Sequence, residues 1–145
     1  MRNTRVRDVM SSPAIVISSE ALLEEADELM ERHCIRRLPV VDGTSGRLVG
    51  ILSQGDLREA SMAADTAGQY APEEELETWL TVAEAMTPTV ITVKPDATIA
   101  EVARLMLSHK IGGLPVVNEA GEVIGMITES DIFKLVVQAW GGEET

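Results

Sequence analysis

Two short groups in this chain set a hydroxyl and a carboxylate three residues apart: Ser53-Gln54-Gly55-Asp56 and Thr128-Glu129-Ser130-Asp131. Each follows an apolar run, Gly50-Ile51-Leu52 in one case and Gly125-Met126-Ile127 in the other. A buried strand that ends in a hydroxyl residue and enters a helix leaves free backbone N–H groups at the turn. Two chemistries fit the pattern. Ser/Thr-x-x-Asp is a capping box, and capping alone explains either copy. The same aspartate, facing a cleft, can accept both hydroxyls of a ribose while phosphates meet the free N–H groups. Spacing alone leaves both readings open.

Few other side chains invite chemistry. His33, Cys34 and His109 raise a metal reading, but both histidines end an apolar helical stripe at equivalent positions. Packing, or the favourable field at a helix C-terminus, explains them. Cys34 is the single cysteine and cannot form an internal disulfide. Beside apolar positions at the end of a helix, it is expected to be an inert buried or half-buried thiol. The sequence holds no nucleophile–base pair, Gly-rich phosphate loop or clustered metal site. No catalytic residue, metal or required cofactor is therefore assigned, and the chain is not expected to be an enzyme.

Composition narrows the partners. The 145 residues carry 24 acidic and 12 basic side chains, a formal charge of −12 that repels nucleic acid and anionic membranes. Apolar residues make up 45% and aromatics only 3%, so the core is aliphatic and a flat ligand finds few rings to stack on. No apolar run approaches the ~18 residues of a membrane span, and the first residues lack an apolar signal core. A cytoplasmic location is expected.

The elements that position these residues are written twice. Residues 6–58 recur at 82–133, with Met10 on Met86, Ile15 on Ile91, His33 on His109, and Leu38–Val41 on Leu114–Val117. The second copy is one residue shorter in a turn, after which Gly50 falls on Gly125 and Asp56 on Asp131. Such duplication means that one copy alone cannot bury its apolar faces. Each copy reads as strand, helix, hairpin, helix. The first strands are Ala14–Ile17 and Val90–Val93, rich in β-branched residues. A helix over 20–33 and its partner opening at Thr98 carry apolar residues at one helical face. The hairpins are Leu38–Val41 with Leu48–Leu52, and Leu114–Val117 with Val123–Ile127, where Gly, Asn and Asp are expected at positive φ. Closing helices begin at Ser53 and Thr128.

The expected fold is α/β (α+β): two βαββα units packed about a pseudo-twofold axis, leaving two similar clefts. The motifs span 6–58 and 82–140, and the whole chain forms one module. Residues 59–81 form an acidic connector with a short helix from Pro72-Glu73-Glu74-Glu75 into Trp79-Leu80, either solvated or partner-facing. The last helix, Ile132 to Trp140 before Gly141-Gly142, is apolar on nearly every side. One face is expected to meet the partner repeat and another a second subunit, which predicts a homodimer.

Met10…Leu38-Pro39-Val40-Val41-Asp42…Gly50-Ile51-Leu52-Ser53-x-x-Asp56, with its second copy, resembles the tandem cystathionine-β-synthase (CBS) motif, the arrangement called a Bateman module. The resemblance covers almost the whole chain outside the connector and tail. With Leu80-x-Val82-x-Glu84-x-Met86 ahead of the second copy, it is similar to stand-alone pairs of the acetoin-utilisation type. The resemblance implies a regulatory sensor of adenosine ligands: AMP, ADP or ATP, with S-adenosylmethionine or NAD as alternatives. It implies an effector protein, and a structural dimerisation module with vestigial sites is the rival reading. Carried over, Ser53 with Asp56 and Thr128 with Asp131 hold ribose. Ile15 with Pro39, and Ile91 with Pro115, border adenine. Phosphates fall to basic residues ahead of the Leu-Pro-Val-Val strand, here Arg36 and Arg37, with Lys110 in the second copy. Arginine can clamp phosphate oxygens with two bonds, although Arg36 or Arg37 pairing with surplus carboxylates is the alternative. The second copy has Gly112-Gly113 instead, which lets a phosphate approach the backbone closely. The two sites are therefore expected to differ in affinity and ligand.

Overall fold

The computed structural model describes residues 4–66, 80–88 and 90–141. The chain forms two compact units: Ile15–Val90, and Met1–Ala14 together with Ile91–Thr145. The expected connector helix from Pro72 into Trp79 lies outside the described residues.

In the Ile15–Val90 unit, β1 (Ile17–Ser18) leads through α2 (Leu23–His33) to β2 (Arg37–Val41) and β3 (Leu48–Ser53). Strand β1 pairs in parallel with β2, and β2 pairs antiparallel with β3, giving a three-stranded sheet. Helix α3 (Gln54–Thr66) follows without a break, and α4 (Val82–Ala85) returns to the same unit. Leu23, Ala26 and Met30 of α2 are buried with Leu38, Val40 and Leu52 of the sheet, and Val82 of α4 closes that core.

The second unit opens with α1 (Val6–Val9) and continues with α5 (Ile99–His109), β4 (Gly113–Val117), β5 (Val123–Thr128) and α6 (Glu129–Trp140). Val6, Val102, Met106, Leu114, Val116 and Ile127 form its core. A four-residue helix has no stability of its own. Helix α1 is held because Val6 is fully buried and its N–H donates to the Ala97 carbonyl at 3.0 Å. In the other unit, Val82 is equally buried and donates to the Ala21 carbonyl at 2.8 Å. Each short helix thus opens one sequence copy and completes the core that the other copy's strands build.

The first strands are shorter than the β-branched runs predict. Only Ile17 and Ser18 reach the ladder, opposite Val40 and Val41, and in the second unit only Val93 bridges to Val116. Ile15 and Ile91 pack side chains against their cores without joining a sheet. The hairpins match expectation, with turns at 42–47 and 118–122. Positive φ falls on Gly46 and Gly121 alone in these turns. Asp42 and Asn118 serve by another route: Asp42 Oδ1 accepts the Thr44 N–H at 2.8 Å, and Asn118 Oδ1 accepts those of Ala120 and Glu122 at 3.0 Å.

One expectation is corrected. Cys34 is exposed, where a buried or half-buried thiol is expected from its apolar neighbours. It occupies the left-handed position that ends α2, at φ 54°, and this turns it out of the apolar stripe. In α6, the inner stripe of Ile132 and Leu135 packs on its own unit's core.

Candidate functional site

The strand ladder assembles each candidate site. Arg37 lies opposite Ser53 and Pro39 opposite Ile51 across the β2–β3 hairpin. Side chains two apart on a strand share a face, so Arg37, Pro39, Ile51 and Ser53 lie on one side of the sheet. The first helical N–H of α3, that of Gln54, donates to the Arg36 carbonyl at 3.0 Å. This bond ties the main chain at Arg36 to the turn. The second unit repeats the construction: Gly113 lies opposite Thr128, Pro115 opposite Met126, and Glu129 N–H donates to the Gly112 carbonyl at 3.0 Å.

Both Ser/Thr-x-x-Asp turns are capping boxes. Ser53 N–H donates to Asp56 Oδ2 at 2.9 Å, and Asp56 N–H donates to Ser53 Oγ at 3.1 Å. Thr128 N–H donates to Asp131 Oδ2 at 2.9 Å, with its hydroxyl 3.3 Å from the same oxygen. Capping uses one carboxylate oxygen of each aspartate. Among the described residues Oδ1 of either has no partner, and no buried side-chain oxygen is left unpaired. Each Oδ1 therefore reaches the surface with its acceptor capacity unused. All four residues are half-buried.

The remaining candidates divide. Pro39 and Pro115 are buried, while Ile15 and Ile91 are half-buried. Arg36 is exposed and Arg37 half-buried. Neither guanidinium has an ion-pair partner among the described residues, where the one salt bridge joins Arg32 to Glu28 at 2.8 Å. Pairing with surplus carboxylates does not occur there. Lys110 is exposed at the left-handed end of α5, three residues before Gly113, so the structure does not bring it to the position that Arg37 holds. His33 and His109 are exposed in the last turns of α2 and α5, where the helix field favours a basic group. Among the described residues no three His, Cys, Asp or Glu side chains cluster to hold a metal ion. No helix there is long and apolar enough to cross a membrane.

The structure adds one position that the spacing did not single out. Gln54 and Glu129 open the closing helices beside the aspartates, and they differ by a full charge. The only signal in the sequence is that difference between aligned copies.

Known proteins share this construction. A CBS domain-containing protein of Dictyostelium discoideum is 33% identical over 138 residues, which cover 92% of this chain and 91% of that protein. The chain spans only 23% of the length of an L-aspartate semialdehyde sulfurtransferase of Methanocaldococcus jannaschii, 34% identical over 132 residues. A CBS domain pair solved with 5′-methylthioadenosine and S-adenosyl-L-methionine superposes with a TM-score of 0.77 at 34% identity, covering 97% of this chain and 98% of that one. An acetoin-utilization protein (AcuB) from Vibrio cholerae gives 0.79 at 32% identity over 98% and 97%. The protein CBSX2 in complex with AMP gives 0.75 at 26% identity over 93% and 97%. The CBS domain pattern itself matches residues 6–63 and 82–138, and this chain accordingly belongs to the CBS domain family as a tandem pair of motifs.

Proposed function

We propose that this CBS domain pair is a regulatory sensor that binds adenosine ligands without turning them over and signals occupancy to an effector protein. AMP, ADP and ATP are the preferred ligands, with S-adenosylmethionine or NAD as the alternative class. In this reading Ser53 with Asp56, and Thr128 with Asp131, hold ribose hydroxyls through the unused Oδ1. Ile15 and Pro39, and Ile91 and Pro115, wall the adenine with aliphatic surface. Arg36 and Arg37 take phosphate, and Lys110 serves the second site at longer reach. The observation that carries the reading is the unspent carboxylate oxygen at the mouth of a helix, twice. It is supported by relatives of the same fold solved with 5′-methylthioadenosine, S-adenosyl-L-methionine or AMP.

A structural module with vestigial sites is the second reading, and one observation favours it: both turns are satisfied as capping boxes with no ligand. Thermal unfolding in the presence of AMP, ATP, S-adenosylmethionine and NADH separates the two. At a ligand concentration of 100 Kd a native-state binder gains about 2.7 kcal/mol. A sensor shows that gain with at least one ligand, and a vestigial module with none.

Dimerisation belongs to the same proposal. Phe133, Val137 and Trp140 on the outer face of α6 are 62%, 67% and 54% exposed, and a second copy would cover them. A cytoplasmic setting, expected from the sequence, suits a sensor of metabolites.

A further inference from the structure

The two turns are built alike but charged oppositely. Beside Ser53 the ladder sets Arg37, with Arg36 one residue ahead, neither of them ion-paired among the described residues, and the helix opens with an uncharged Gln54 and a glycine, Gly55. Beside Thr128 and Asp131 the same ladder positions hold Gly113 and Gly112, both buried, and the helix opens with Glu129 and Ser130. One turn therefore has two arginines at the entry of its strand against one carboxylate, and the other has two carboxylates against one lysine, Lys110, three residues ahead of its strand. In a chain of net charge −12, two adjacent arginines with no salt bridge among the described residues are a local reversal of the prevailing charge. Charges closer to a bound group than the Debye length, ~8 Å at physiological salt, act on it with little ionic screening.

We infer that the two sites sort adenosine ligands by the charge of the 5′ substituent. This inference rests on the adenosine-sensor reading and goes beyond it. The site of the Ile15–Val90 unit takes anionic ligands, nucleoside mono- and polyphosphates. The site on Thr128 and Asp131 takes ligands whose 5′ group is uncharged or cationic, such as a thioether or sulfonium. At the second site Glu129 repels a phosphate. The buried glycines there supply no side chain to offset it. At the first, Arg36 and Arg37 supply the charge-assisted bonds that an uncharged 5′ group cannot use.

Calorimetric titration of the whole chain with AMP and with 5′-methylthioadenosine tests the sorting. Each ligand is expected to bind one site per chain, and saturation with one should leave the other's affinity within about twofold. Arg36→Gln with Arg37→Gln should weaken AMP at least tenfold, since each lost charge-assisted bond is worth one to two powers of ten. The same double variant should leave 5′-methylthioadenosine within about twofold, and Asp131→Asn should show the converse pattern. Rising salt should weaken AMP and spare the thioether. Direct competition between the ligands for one site overturns the sorting, as does a double variant that weakens both alike or neither. Failure of the sensor reading looks different: the wild-type chain binds neither ligand, or Asp56→Asn and Asp131→Asn change no affinity.

Discussion

Asp56 and Asp131 each spend one oxygen on their own helix and keep the other at the surface. This division decides which substitutions are informative. Asp56→Ala removes the cap as well as the ligand acceptor and should cost about 1 kcal/mol in urea denaturation, ligand or none. Asp56→Asn keeps a capping oxygen and isolates the ribose contact, so a binding loss without a stability loss is its expected signature. A second residue-scale prediction concerns Cys34. Ile35 N–H donates to the Met30 carbonyl at 3.0 Å and Cys34 N–H to the Glu31 carbonyl at 3.3 Å, the bond pattern of a Schellman cap that favours glycine. Cys34→Gly should raise the unfolding free energy by roughly 0.5–1 kcal/mol in the same assay, because glycine adopts φ 54° without a Cβ penalty. No gain, or a loss, would contradict that account of the cap. At this scale the sequence displayed the hydroxyl–carboxylate pairs and the arginines plainly. It hid the exposure of Cys34, since an apolar neighbourhood in sequence says nothing of a backbone that turns left-handed at one residue.

At the scale of elements, the short helices and the strands they lie beside are fitted atom to atom. A Cβ on Gly50 would stand 2.6 Å from Met86 Sδ and 2.8 Å from the Thr87 carbonyl oxygen. On Gly125 it would stand 2.6 Å from Met10 Sδ and 2.9 Å from the Ser11 carbonyl oxygen. The methionine can swing aside, but Thr87 is fixed by reciprocal bonds with Ile51 at 2.9 and 3.0 Å. Gly50→Ala should therefore lower stability by about 1–3 kcal/mol, read as a fall in Tm with an unchanged far-ultraviolet spectrum. A Tm within a degree of wild type would show that the strand and α4 yield more easily than argued. The duplication made Met10, Met86, Gly50 and Gly125 visible as repeated letters. It did not reveal that the methionine of one copy meets the glycine of the other, because alignment pairs like with like. Strand lengths were overestimated for a related reason. β-Branched residues such as Ile15 and Ile91 serve packing as readily as pairing, and only a ladder partner distinguishes the two.

For the molecule as a whole, the outer face of α6 leaves Phe133, Val137 and Trp140 exposed together, an apolar surface that one chain does not cover among the described residues. Phe133→Glu with Val137→Glu should convert a dimer to a monomer in sedimentation equilibrium at micromolar concentration. Both residues are more than 60% exposed, so the monomer itself should unfold as before. A wild-type chain already monomeric there contradicts the proposed dimer. The central claim, however, is that a doubled fold presents a ribose-holding carboxylate, and one comparison tests it most directly. AMP is titrated calorimetrically into the wild-type chain and into Asp56→Asn. The account predicts a saturable isotherm for wild type and at least a tenfold weaker one for the variant, with both chains equally folded. Superimposable isotherms, or no heat of binding in the wild type, would contradict it.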